Sequence, residues 1–260
     1  MNDDPFWSAY GSPASVDWCE PNYAVWAYVA EWWNTLTSAP MVFLGLYGIF
    51  FVLRGGPVER RFLLCFAALA LVGLGSMGFH GTMLQSAQAS DELPMIYGSL
   101  VFVYCLVDRN PSTSHRARWW QLAFAAYAVA FTVGYFAFTD YFTLFIVSYG
   151  GLVTLLVVGC IGVAWGEQGS VMHRRLIGSA ALFFLGGVFL LWIPEHVILG
   201  CAHPLQRFHL HAVWHLAAGL GTYLGVVFLV WDRWLLLGEN PLLQFGGGHW
   251  LPSIRCAPRE

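Results

Sequence analysis

The sequence predicts an all-α, multi-pass integral membrane protein of seven transmembrane helices, with the N-terminus extracytoplasmic or luminal and the C-terminus cytoplasmic. Three observations carry this. The 260 residues are 58% hydrophobic and only 10% charged, against roughly 25% charged in an average soluble domain. Seven apolar runs approach or exceed the roughly 20 residues that cross about 30 Å of hydrocarbon; they fall at 32–53, 62–80, 93–107, 119–138, 141–164, 176–193 and 210–231, the third being the shortest. The basic residues are one-sided. Lys is absent, and of the twelve arginines only Arg207 follows an even-numbered span. Arg54, Arg60 and Arg61, then Arg109, Arg116 and Arg118, then Arg174 and Arg175, and finally Arg233, Arg255 and Arg259 all follow odd-numbered ones. Arginines near helix ends are retained on the cytoplasmic side, which sets the orientation.

Taken in order, the start "MNDDPFWSAYG" is acidic, with neither a basic n-region nor an apolar core, so it does not read as a signal peptide. Residues 1–31 form an extracytoplasmic segment, 32–231 the seven-helix domain and 232–260 a cytoplasmic tail rich in Gly and Pro, expected to be loosely ordered in part. Turn signals separate the spans at "RGGPVE" (54–59), "DRNPSTS" (108–114) and "WGEQGS" (165–170). The outer face receives the N-terminal segment, a loop at 81–92 and a loop at 194–208. Of the six cysteines, Cys65, Cys105 and Cys160 read as small buried apolar residues and Cys256 as a reduced cytoplasmic thiol. Cys19 and Cys201 both fall outside, where oxidation permits a bridge between them.

The unusual polar residues lie at the outer edge. His115, His173 and His249 belong to cytoplasmic segments, and His196, His203 and His209 to an outer loop. In "HLHAVWHLAAGLGTYL", His211 and His215 project about 40° apart on one helix face, whereas His209 is about 240° from His215. An HxxxH pair offers two imidazoles to one metal ion. His80 closes span two on the side where span seven begins, so three histidines converge at one depth. Three protein ligands with a fourth position for water is the pattern of a catalytic zinc, and polar groups at such depth are costly and usually functional. Ser76 lies one turn before His80 on the same face. Its alternative is an ordinary bond back to the carbonyl four residues earlier. Asp91, just ahead of Pro94 and span three, reads either as an N-cap or as a general base or acid beside the metal, with Glu92 the solvent-facing member of the pair. Upstream, Asp17, Glu20, Asn22 and Glu31 supply hard oxygen donors of the kind calcium takes. The alternative is an acidic, aromatic-anchored entry to the first helix.

"VDWCEPNY" with "AEWWNT", "GSMGFHGTMLQSAQASDELPMIY" and "HAVWHLAAGLGTYL" resemble, in order and across nearly the whole chain, the signature blocks of the alkaline ceramidases. These belong to a hydrolase superfamily that also contains adiponectin-receptor-like proteins. The resemblance implies hydrolysis of the ceramide amide to a sphingoid base and a fatty acid. It implies zinc held by His80, His211 and His215, with Ser76 and Asp91 completing the catalytic site. It further implies calcium held by Asp17, the Trp18 carbonyl, Glu20, Asn22 and Glu31, and a disulfide between Cys19 and Cys201. Ceramide or a related N-acyl sphingolipid and the surrounding membrane lipids are the implied partners; neither nucleic acid nor an obligate protein partner is. Bacterial inner membrane and eukaryotic ER or Golgi are both compatible compartments. The competing expectations are a receptor of the adiponectin-receptor type, or a hydrolase of another lipid, and a haem protein using the histidines as axial ligands.

Overall fold

A computed structural model describes residues 6–110, 114–246 and 249–257, with side chains omitted at 114–117, 246, 249 and 250. Arg259 and the side chains of His115, Arg116 and His249 therefore lie outside the described residues. Seven helical spans are long and apolar enough to cross a membrane, built on α1 (Trp32–Gly55), α2 (Arg60–Thr82), α3 (Gln85–Val107), α4 (Ser114–Ala137), α5 (Tyr141–Trp165), α6 (Val171–Gly187) and α7 (Leu210–Leu236), with the sixth span running on from α6 to Leu199. In hydrocarbon every backbone N–H and C=O must find an internal partner, which a helix provides within one segment. Large apolar side chains such as Phe43, Leu46, Val133, Val147, Leu182 and Leu190 stand exposed around the bundle, a surface that only lipid would cover.

Chain direction alternates, so helix ends gather into two clusters. At one end Ala30 N–H donates to the Gly81 carbonyl at 3.0 Å and Glu31 N–H to the His80 carbonyl at 2.9 Å, tying the N-terminal segment to the end of α2. The other end is locked by ion pairs. Glu59 receives Arg61 at 2.8 Å and Arg233 at 2.7 Å, while Asp232 receives Arg109 through two nitrogens and His173 at 3.2 Å. Much of the described part of the tail is regular structure. Pro241–Gly246 (β1) and His249–Cys256 (β2) form an antiparallel hairpin. Its Ile254 is buried, and the Pro252 carbonyl accepts from the Tyr223 hydroxyl at 2.6 Å, so side-chain burial rather than local propensity orders it.

The segment 81–92 also departs from expectation. It is not a loop: α3 begins at Gln85, a whole two turns before Pro94, so Asp91 and Glu92 sit inside the helix and Asp91 is no N-cap. Pro94 has no N–H to give the Ser90 carbonyl, and that carbonyl packs onto Gly75 of α2. A Cβ at Gly75 would stand 2.0 Å from it. This close approach brings the α3 backbone at Asp91 alongside Ser76. At the far end of α6 the ladder widens into π-helical segments, Val188–Trp192 and Pro194–Leu199, with Ile193 N–H donating five residues back to Val188. Such bulges accompany functional sites more often than chance.

Candidate active site

The sequence-predicted residues of spans two, three and seven meet. His80, His211 and His215 are all buried, and their nearest ligand nitrogens lie within 4.8 Å of one another. Among the described residues this is the one group of three or more His, Cys, Asp or Glu side chains so gathered. Two of the rings are held from behind. His80 Nδ1 pairs with Glu31 Oε2 at 2.5 Å. His215 Nδ1 faces the Asn34 carbonyl at 3.1 Å and the hydroxyls of Thr37 and Ser38 at 3.2 Å each. Partners on Nδ1 leave Nε2 of both rings to face the shared centre, which is how outer groups fix a ligating histidine. His211 is stacked on Trp18, ring centroids 3.6 Å apart, and its Nδ1 has no hydrogen bond. Three buried imidazoles with gathered ring nitrogens fit a zinc-type ion by donor chemistry.

Ser76 Oγ lies 2.8 Å from Ser38 Oγ, which in turn donates to the Asn34 carbonyl. Asp91 is buried with Oδ1 unpaired. Ser76, Asp91, His211 and His215 together line the mouth of a cavity of about 330 Å³ whose remaining wall is almost wholly apolar. Along α7 the lining runs from His211 to Leu229, about 27 Å at 1.5 Å per residue. The cavity wall includes residues of both α5 and α6, among them the exposed Ile161 and Trp165 of α5.

A family model described as ceramidase matches residues 11–254. The chain belongs to the ceramidase family. It is 32% identical over 262 residues to alkaline ceramidase 3 of Mus musculus, covering 95% of this chain and 94% of that one. It is 27% identical to alkaline ceramidase YPC1 of Saccharomyces cerevisiae, over 89% and 80% of the two chains, and 26% identical to an alkaline ceramidase of Arabidopsis thaliana, over 92% and 91%.

In this ceramidase-family chain the oxygen-donor block is close to the histidines and is already bonded to protein. Glu20 caps α1 by accepting from the backbone N–H groups of Trp33 at 2.7 Å and Asn34 at 2.9 Å. Glu31, fully buried, accepts from Trp18 N–H at 3.0 Å and Asn34 Nδ2 at 3.1 Å besides facing His80. Asp17 accepts from Asn22 Nδ2 at 3.0 and 3.1 Å. Burial pushes the Glu31 carboxyl from 4.5 up to about 8, with Asp17 adding to the rise, and burial followed by the nearby Glu31 raises Glu20. Carboxylates crowded together, two of them buried, are short of positive charge, and a divalent cation would supply it. The donor set thus fits calcium in chemistry.

Cys19 and Cys201 are joined in a disulfide, Cα atoms 4.8 Å apart. His209 lies against Trp33 and near Glu20, outside the three-histidine group. One reading is corrected: Glu92 does not face solvent. It is 3% exposed, accepting from Gln88 at 2.8 Å and from the Tyr135 hydroxyl at 2.6 Å. Sequence reasoning also passed over Asn34 and Ser38. Their signal was present, since Glu31, Asn34 and Ser38 recur at i, i+3 and i+7, a polar stripe on one face of an apolar helix.

Proposed function

We propose that the protein is a zinc-dependent ceramidase that hydrolyses the N-acyl bond of ceramide or a closely related lipid, releasing a sphingoid base and a fatty acid. The observation that carries this is the placement of three buried histidines at the head of a long apolar cavity, in a chain whose relatives are named alkaline ceramidases. His80, His211 and His215 hold the ion. Bound there, zinc would polarise the amide carbonyl and lower the pKa of water toward about 7.

The chain's own groups do the rest. Asp91, buried with a free oxygen at the cavity mouth, takes the proton of the attacking water and returns it to the leaving amine. Ser76 donates its hydroxyl proton toward the oxyanion. The apolar wall takes the lipid tails, which enter sideways between α5 and α6. Ser76 is not a covalent nucleophile in this scheme, because no histidine is left to activate it once all three hold the ion. The arginine distribution supports placing this end on the extracytoplasmic or luminal side, and the acidic block is read as a calcium site that stiffens it. His215→Ala and Asp91→Ala should each abolish cleavage of a fluorescent ceramide in detergent while the protein stays monodisperse. Full activity in either variant would sink the reading.

A further inference from the structure

Glu195 sits in the π-helical end of α6 and is 3% exposed. The backbone N–H of Cys19 is directed at its carboxylate. Its Oε2 stands 3.6 Å from His211 Nδ1, and both of these buried atoms are without a hydrogen bond. Two complementary buried atoms left unpaired are each costly, and this pair is a small side-chain movement from bonding distance. The other two histidines already have their Nδ1 atoms held, His80 by Glu31 and His215 by the Asn34 carbonyl.

We propose that Glu195 is the positioning residue of His211: its Oε2 accepts the Nδ1–H, fixes the ring's tautomer and aims Nε2 at the ion. This rests on the metal-centre reading above. The disulfide serves the same end, since Cys201 lies two residues beyond the π-helical segment and the Cys19 N–H is directed at the carboxylate. Trp18, the neighbour of Cys19, stacks on the face of the His211 ring. One covalent staple thus clamps both the carboxylate and the ring it orients. The π-helical widening before Pro194 sets the register that turns Glu195 inward.

The test is the equilibrium zinc affinity of the purified full-length chain in detergent, measured by competition with a chromophoric chelator and without lipid substrate. Glu195→Ala should weaken zinc binding about 10- to 100-fold. Glu195→Gln keeps the shape but has one acceptor oxygen for two donors, and should fall between Ala and wild type. Zinc affinity of Glu195→Ala indistinguishable from wild type overturns the proposal. If the Ala variant does not fold, Glu195→Gln decides alone: unchanged affinity overturns it, weakened affinity supports it. Wild type that binds zinc but cleaves no ceramide would defeat the functional reading and leave this one standing. Wild type that binds no zinc defeats both.

Discussion

At the scale of single residues, Glu31 does two jobs where sequence reasoning gave it one. It belongs to the oxygen-donor block, and it also backs His80 across 2.5 Å. Histidines 80, 211 and 215 were legible because an HxxxH pair and a helix-ending His have a fixed spacing and a fixed depth. Glu31's second contact was not, because it joins residues 49 apart and needs the α1–α2 packing to exist first. A pH dependence follows. Glu31's carboxyl is raised from 4.5 to about 8 by burial and then by Asp17, so the folded state binds the extra proton. The stability this lends is complete below pH 4.5 and is lost as pH rises through about 8. In metal-stripped protein, thermal unfolding should therefore move to lower temperature between those limits, and Glu31→Gln should flatten that part of the profile. Calcium, which selects ionised carboxylates, should restore more stability at the alkaline end than at the acid end. Parallel profiles for wild type and Glu31→Gln would remove Glu31 as the cause.

At the scale of elements, most spans were legible from apolar run length, because hydrocarbon thickness imposes it. The boundary of α3 was not. "QSAQASDE" is polar, and polarity was taken for a loop, whereas Gln88 and Glu92 point inward to Ser15, Tyr135 and each other. Helix polarity tells solvent from core only when no second polar element is there to receive it. The α2–α3 joint that results is tight. Gly75→Ala sets a methyl 2.0 Å from the Ser90 backbone oxygen, and overpacking of this kind costs about 1–3 kcal/mol. It should lower the unfolding temperature and reduce turnover together, since Asp91 moves with the backbone. Farther along, Gly178 and Gly225 line the cavity and an added Cβ at either meets nothing within 4 Å. Gly225→Leu should thus fold normally and shorten the cavity. Its expected signature is a loss of about 10-fold or more in kcat/KM for long N-acyl chains, with short-chain ceramides spared. Equal losses across chain lengths would show that the distal cavity takes no tail.

At the scale of the whole molecule, the two ends differ in kind. One gathers histidines, carboxylates and a disulfide, and the other is closed by paired arginines and carboxylates and by the tail hairpin. The Arg109–Asp232 and Arg233–Glu59 pairs join residues more than a hundred apart, so arginine counts indicated a side of the membrane but not what each arginine holds. Burial of Ile254 in the tail was invisible for the same reason. The proposed entry of substrate between α5 and α6 has a consequence for how the enzyme is to be assayed. A substrate that arrives through the bundle's flank is drawn from a two-dimensional pool, and its effective concentration is its mole fraction among lipid and detergent, not its molarity. Diluting ceramide with inert detergent at constant total ceramide should therefore slow the reaction, whereas diluting the whole mixture with buffer should not. Initial rates in mixed micelles read this directly, and a rate that tracked bulk molarity would place substrate entry at the aqueous mouth instead.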